Sequence, residues 1–458
     1  MGEENLDEPY SLKKIWFRSL NCALGSFSFG YANGIFTSSQ PCVSSLLNWG
    51  EEKYTYIALM AAIIQFGAMT GCIITGFMTI YMSKKKCMMI TDLIMTLGGI
   101  LFMIPNTISF GLARYISGVA IGCFSMLGPQ YLNEFLPPKI RGKFGTLNQM
   151  SAMVGLLFSF SVCQFLPRDD CSEDMTYYVF ALFAASGVIG IIQYFNFTVF
   201  FPENSPRESP SLCKAFGYLT TSVHEPGEES EIIPEEKTKK NFESYNEFTL
   251  GQLLCCAKGS TKAMRVGTLF HIIQQTSGIN AILSYSTTIF QSFGQGVYFA
   301  RAMTITASFL RILSVFGLFA VIEKYGRKKV TIFFTFMMGL SFLILGIFVN
   351  FDGFAVLMVI CVDLYLCFFA VSLGPICWIY TSETMTDKGM AFGAALNWGT
   401  AALVVWCFPY SVSYMGISST FLLFSFLNTI SAFYFIFDMI ETKGLAKEHI
   451  REILKNMR

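Results

Sequence analysis

Apolar stretches of about twenty residues recur along the whole chain, and nothing else in the sequence limits the fold as much. Runs bounded by charges and by Gly or Pro lie near 15–37, 56–80, 87–106, 108–133, 144–166, 176–201, 263–291, 301–323, 330–350, 354–383, 390–412 and 417–440. At about 1.5 Å per residue, each is long enough to cross a hydrocarbon core of about 30 Å as a helix. Composition agrees: 53% of the 458 residues are hydrophobic and 14% are charged, against about 25% charged in a soluble protein. A water-soluble enzyme, a disordered chain and a fibrous one are excluded. The net charge of +1 leaves no electrostatic footprint for nucleic acid. The fold class is an all-α membrane protein with twelve transmembrane helices, and the lipid bilayer is its first partner.

The loops give the orientation. Lys84, Lys85, Lys86, Lys139, Arg141, Lys143, Lys324, Arg327, Lys328, Lys329 and Lys388 fall on one side, while Lys53, Arg168 and Arg301 are nearly all the other side holds. An excess of Lys and Arg marks the cytoplasmic side. Both termini, 1–14 and 441–458, are therefore expected inside. The long polar stretch 202–262 reads as a cytoplasmic linker between a six-helix half at 15–201 and another at 263–440. The inside loops also repeat at nearly one offset. Lys84-Lys85 answers to Arg327-Lys328, Glu134 with Arg141 to Glu383 with Lys388, and Glu203 to Glu441. Two related halves joined by a linker are the architecture of a rocking transporter with its site between them.

Polar side chains inside such spans are costly, and they mark a pathway or a helix contact. The densest group is His271-Ile-Ile-Gln274-Gln275-Thr-Ser277-Gly278-Ile-Asn280. Gln275 and Asn280 stand about 140° apart on a regular helix, and unwinding at Gly278 would bring both amides to one ligand. An amide donates and accepts, as a hydroxyl does, so several neutral amides suit a polyol better than an ion. Gly374-Pro375-Ile-Cys377-Trp378 adds a kink and an indole plane. Gln149 and Asn397-Trp398 are further cavity candidates.

The fourteen cysteines form no metal-ligand spacing, and most lie in apolar runs. Cys42 and Cys171 fall on outside loops, where pairing is open. His224, His271 and His449 are too scattered to share one site. No metal, cofactor or enzyme activity is expected.

At this point the residues resemble a family. Phe29-Gly30-Tyr31, Arg114-xxx-Gly118, Pro129-Gln-Tyr131-xx-Glu134-xx-Pro137-xxx-Arg141-Gly142, Gln149 and Pro202-Glu203-Asn204-Ser205-Pro206-Arg207 carry the likeness in the first half. Gln274 to Asn280, Glu323-xx-Gly326-Arg327-Lys328, Gly374-Pro375-xx-Trp378, Glu383, Asn397-Trp398 and Glu441-Thr442-Lys443-Gly444 continue it. The chain resembles the sugar porters of the major facilitator superfamily, the facilitative hexose transporters, over nearly all of 15–445. The resemblance implies two pseudo-symmetric six-helix halves, a plasma-membrane location and a small-molecule sugar substrate. It implies that Gln149, Gln274, Gln275, Asn280 and Trp378 contact the sugar. It also implies that Glu134, Arg141, Glu203, Arg207, Glu323, Arg327, Glu383, Lys388 and Glu441 form inside ion pairs that hold the outward-open state.

Departures matter as much. Proton-coupled members of the family carry an Asp where Ala32 stands here, near Arg114, so passive diffusion is expected. His271-Ile272-Ile273 replaces the Gln-Leu-Ser of glucose-selective animal members, which leaves fructose open. Arg311 stands where the family often has a cavity-facing Asn. Arg311 and Asp363 lie at similar depth, roughly 14 Å from the outside, and are expected to pair. Two alternatives stay open: an anionic or other polar solute held by Arg311, and a transporter-like sugar sensor. Asp92 is expected to be structural. The sequence does not set the oligomeric state.

Overall fold

The computed structural model describes residues 12–135, 138–167, 171–201, 261–293, 296–351, 353–385, 387–445, 449–450 and 453–454. The expected linker lies almost wholly outside them. Among the described residues every long element is a helix and there is no strand. The first half comprises α1 (Leu12–Leu46), α2 (Lys53–Tyr81), α3 (Lys84–Phe102), α4 (Thr107–Phe135), α5 (Pro138–Cys163) and α6 (Thr176–Phe200). The second comprises α7 (Thr261–Thr276), α8 (Ile279–Ser292), α9 (Val297–Tyr325), α10 (Arg327–Phe348), α11 (Ala355–Val371), α12 (Leu373–Thr384) and α13 (Asp387–Asp438).

Among the described residues, these thirteen helices make twelve crossings because three breaks regroup them. Gly278, at φ 98°, divides the seventh crossing into α7 and α8. Ser372, at φ −127° and ψ −99°, divides the tenth into α11 and α12. Pro375 explains that second break: it has no N–H for the Val371 carbonyl, and its ring crowds that carbonyl. The 52 residues of α13 are far more than the ~20 that one crossing needs, and Gly416, at φ 80°, divides them into crossings eleven and twelve.

The two halves repeat one packing plan. In the first, α1 packs on α5, α2 on α4, and α3 on both α4 and α6. In the second, the seventh crossing packs on the eleventh, the eighth on the tenth, and the ninth on both the tenth and the twelfth. Crossings six apart in order thus play the same part. The first half achieves its contacts with small residues. A Cβ on Gly67 or Gly71 would strike the α4 backbone at Tyr115 or Val119, and one on Gly30 would strike Ala152 of α5. Lipid gives no hydrophobic drive for helices to associate, so close backbone approach must supply it.

Between the halves, α2 runs along the eleventh crossing, α5 along α9, and α1 against α8. At the end away from the basic loops this seam is hydrogen-bonded. Thr37 Oγ1 donates to Leu283 O at 3.2 Å and Gln40 Nε2 to Ser284 O at 3.0 Å. Arg301 donates to Leu166 O at 2.9 Å and to Pro167 O at 3.0 Å. Cys42 and Cys171 are joined as a disulfide, and Cys171 N donates to Ser45 Oγ. The disulfide fixes the end of α1 to the loop that carries the acceptors of Arg301. Replacing Gly67 by Leu is expected to abolish folded protein, because the clash is with backbone. Replacing Gly353, whose Cβ would meet nothing within 4 Å, by Asn should leave a monodisperse elution profile in detergent.

Candidate functional site

The two central breaks create the site. Unwinding at Gly278 frees the Ser277 carbonyl, which in hydrocarbon must find a donor inside the protein. It finds two, Tyr365 Oη at 3.0 Å and Asn428 Nδ2 at 3.1 Å. Gln274, the last full turn before that break, reaches the other one. Its Nε2 donates to Leu373 O at 2.8 Å and to Gly374 O at 2.9 Å. The seventh and tenth crossings are tied together at their interruptions.

From there the amides form one chain. Asn397 Nδ2 donates to Gln274 Oε1 at 2.7 Å and to His271 O at 2.9 Å. Gln275 Nε2 donates to Asn397 Oδ1 at 2.8 Å, and Asn280 Nδ2 donates to Gln275 Oε1 at 2.6 Å. All four side chains are buried. Each amide oxygen can accept twice and each amide nitrogen can donate twice. The chain therefore holds itself in register and keeps capacity for a ligand's hydroxyls.

Trp378 is half-buried beside it, edge-on to the His271 ring with centroids 5.0 Å apart. His271 itself is wholly buried. Its Nδ1 lies 3.5 Å from Cys377 Sγ, and a Cβ on Gly393 would approach its ring to 2.5 Å. Its imidazole is packed among Trp378, Cys377 and α13, and its link to the amide chain is its main-chain oxygen. Gln149 is half-buried on α5, and its side chain makes no hydrogen bond among the described residues. Trp398, one residue past Asn397, donates from Nε1 to Ser125 Oγ of the first half at 3.3 Å and lies edge-on to Phe29.

The charged groups sort differently. Arg114 is buried, donates from Nε to Met60 O at 2.6 Å, and stacks its guanidinium over Phe36 at 4.1 Å. Buried Ala32 is one turn before Phe36 on α1. The expected Arg311–Asp363 pair is not formed. Arg311 lies over Phe369 with a buried, unpartnered Nε, and Asp363 keeps a buried, unpartnered Oδ1. Equal depth on neighbouring helices fixes height, not azimuth, so it does not by itself bring two side chains together. Asp92 is wholly buried in α3, and its main-chain oxygen accepts from Thr96 Oγ1.

At the basic-loop end, Arg327 pairs with Glu383 at 2.9 Å, and Glu383 Oε2 accepts from Thr442 Oγ1 at 2.5 Å. Glu441 caps the start of α10, accepting from Arg327 N at 2.8 Å and Lys328 N at 3.1 Å. A carboxylate at a helix N-terminus is favourable. A Cβ on Gly326, at φ 83°, would collide with that carboxylate. Arg327, Glu383 and Glu441 thus meet inside the second half, and Glu323 is exposed nearby. The side chains of Glu134, Arg141 and Lys388, and the whole of Glu203 and Arg207, lie outside the described residues.

Sequence reasoning missed Tyr365 and Asn428. Asn428, a polar residue in the apolar run 417–440, was a legible signal; a Tyr in a span was not. Asn397→Leu should lower stability by about 1–3 kcal/mol, because it strands buried amide groups. Gln149→Ala, which breaks no side-chain hydrogen bond among the described residues, should leave the detergent melting temperature unchanged. A melting comparison of the two checks both.

A family model described as "Sugar (and other) transporter" matches residues 19–454. The facilitated glucose transporter member 2 of solute carrier family 2 from Gallus gallus is 28% identical over 424 residues, covering 86% of this chain and 75% of that one. The arabinose-proton symporter of Bacillus subtilis is 24% identical over 447 residues, covering 95% and 94%. Among solved structures, the proton:xylose symporter XylE of E. coli, bound to 6-bromo-6-deoxy-D-glucose, superposes with a TM-score of 0.81 at 21% identity. That match covers 97% of this chain and 100% of the other, and the shared fold is the twelve-helix major facilitator fold.

Proposed function

The chain belongs to the sugar transporter family, and from that premise we propose that it carries neutral hexoses, glucose or fructose, by passive alternating access. The observation that supports this most is the amide chain Gln274–Asn397–Gln275–Asn280. It gathers uncharged donors and acceptors at two helix breaks beside an indole, which matches a hydroxyl rim and a C–H face. Affinity need not be high: a millimolar dissociation constant takes about 4 kcal/mol. Gln149 would meet the sugar from the first half, its amide being uncommitted. His271 would act from behind, setting Trp378 and Asn397.

Passive transport is the reading because Arg114 has no carboxylate beside it at Ala32. Relatives of both kinds share the fold, so coupling turns on such positions rather than on architecture. The excess of Lys and Arg in one set of loops supports cytoplasmic termini, and the plasma membrane is the location proposed by likeness to the family. The Arg327–Glu383–Glu441 cluster would brace the second half while it rocks. The linker 202–262 would join the two halves.

Purified protein in liposomes should take up labelled glucose or fructose saturably, at a rate that ignores an imposed proton gradient. Gln275→Ala, which removes a shared donor and acceptor, should cut uptake about tenfold, the equivalent of about 1.4 kcal/mol. Acceleration by an inward proton gradient would overturn the passive reading. Absence of any hexose uptake by folded protein would overturn the substrate.

A further inference from the structure

We propose that the same site takes a second class of substrate, sugar acids, with Arg311 holding the carboxylate; this rests on the hexose reading. Arg311 lies on α9 and is 6% exposed. Its guanidinium sits 6.0 Å from the Phe369 ring centroid, and its Nε is buried without a partner. Among the described residues it makes no hydrogen bond or ion pair. A guanidinium offers five N–H donors in a planar fork, and the one on Nε is buried without a partner among the described residues.

The ring under the guanidinium also lies beside a residue that the amide chain holds. Phe369 packs against Gly374, where a Cβ would approach the ring to 3.0 Å. The Gly374 carbonyl is one of the two that Gln274 holds. Tyr365, one turn before Phe369 on the same face of α11, donates to the carbonyl of Ser277, two residues past Gln275. Phe369 thus lies between the Arg311 guanidinium and Gly374, whose carbonyl Gln274 holds, and the proposal is that one ligand bridges that ring to meet both groups.

Charge selects the ligand class. A hexuronate keeps the pyranose hydroxyls of a hexose and carries a carboxylate in place of the terminal hydroxymethyl group. One guanidinium and one carboxylate balance and match in geometry, as a bidentate pair. A sugar phosphate brings between one and two negative charges near neutral pH and would leave part of that charge uncompensated away from water.

The experiment measures uptake of labelled D-glucuronate and D-glucose by the full-length protein in liposomes, with Arg311→Gln and Gln275→Ala alongside. Elution profile and melting temperature establish that each variant is folded. The expected result is saturable glucuronate uptake, mutual competition with glucose, and at least a tenfold fall in the glucuronate-to-glucose uptake ratio in Arg311→Gln. Gln275→Ala should lower both. If Arg311→Gln does not fold, Arg311→Lys keeps the charge, loses the fork, and should raise the KM for glucuronate at least threefold. Glucose uptake with no effect or transport of glucuronate overturns this proposal and leaves the hexose reading standing. Glucuronate uptake without hexose uptake overturns the hexose reading and, with it, the claim that sugar acids are a second class at a hexose site. Neither, from folded protein, overturns both. An unchanged ratio in Arg311→Gln, or equal competition by glucose 6-phosphate, overturns the assignment of a carboxylate to Arg311.

Discussion

A carbonyl freed from its helix inside hydrocarbon must be answered within the protein, and the centre of this structure is arranged around two such events. At Gly278 and at Ser372 a crossing stops and restarts. Tyr365 and Asn428 answer the first break, and Gln274 bridges to the second. What holds the backbone together there is the same set of groups proposed to hold the substrate. An amide that bonds a broken helix is already oriented, so less side-chain freedom remains to be lost when a ligand arrives.

The breaks also make the halves unequal despite their shared packing plan. The first half locks α1 to α5 and α2 to α4 through glycines that admit no side chain. The second replaces a straight seventh crossing with α7 and the short α8. On α8, Asn280 ends the amide chain, and Leu283 and Ser284 accept the hydrogen bonds from Thr37 and Gln40 that close the far end. Site and closure therefore sit within one and a half turns of each other on a 14-residue helix that is hinged at Gly278. A ligand that draws on Asn280 acts directly on the element that seals the seam.

The twelve crossings were legible because burying apolar length is a property of sequence alone. The amide cluster was legible because polar groups in such runs are few and costly. Direction was not. Depth along a helix placed Arg311 and Asp363 level, yet which way each leaves its helix depends on packing that the sequence does not print. His271 shows the same gap: it falls in the polar cluster by order, but its ring packs behind Trp378. Cys42 and Cys171 were recognisable as outside residues, while their meeting depends on how the end of α1 and the loop after α5 come together. Tyr365 was invisible because a tyrosine in a span is ordinary until a neighbouring helix breaks.

Arg114 and Arg311 show how a cation can be kept in a membrane interior in two ways. Arg114 is settled: a carbonyl takes its Nε, and the face of Phe36 takes its charge. A guanidinium over an aromatic ring gains about 2 kcal/mol or more once water is removed. It therefore needs no acid at position 32 to remain folded, and the alanine there costs the first half little. Arg311 has a ring as well, but at 6.0 Å and with no acceptor among the described residues. The cost of burying it is offset only in part by its surroundings. A group whose stabilisation is incomplete in the empty protein has the most to gain from a ligand, and that asymmetry separates a structural cation from one available for binding.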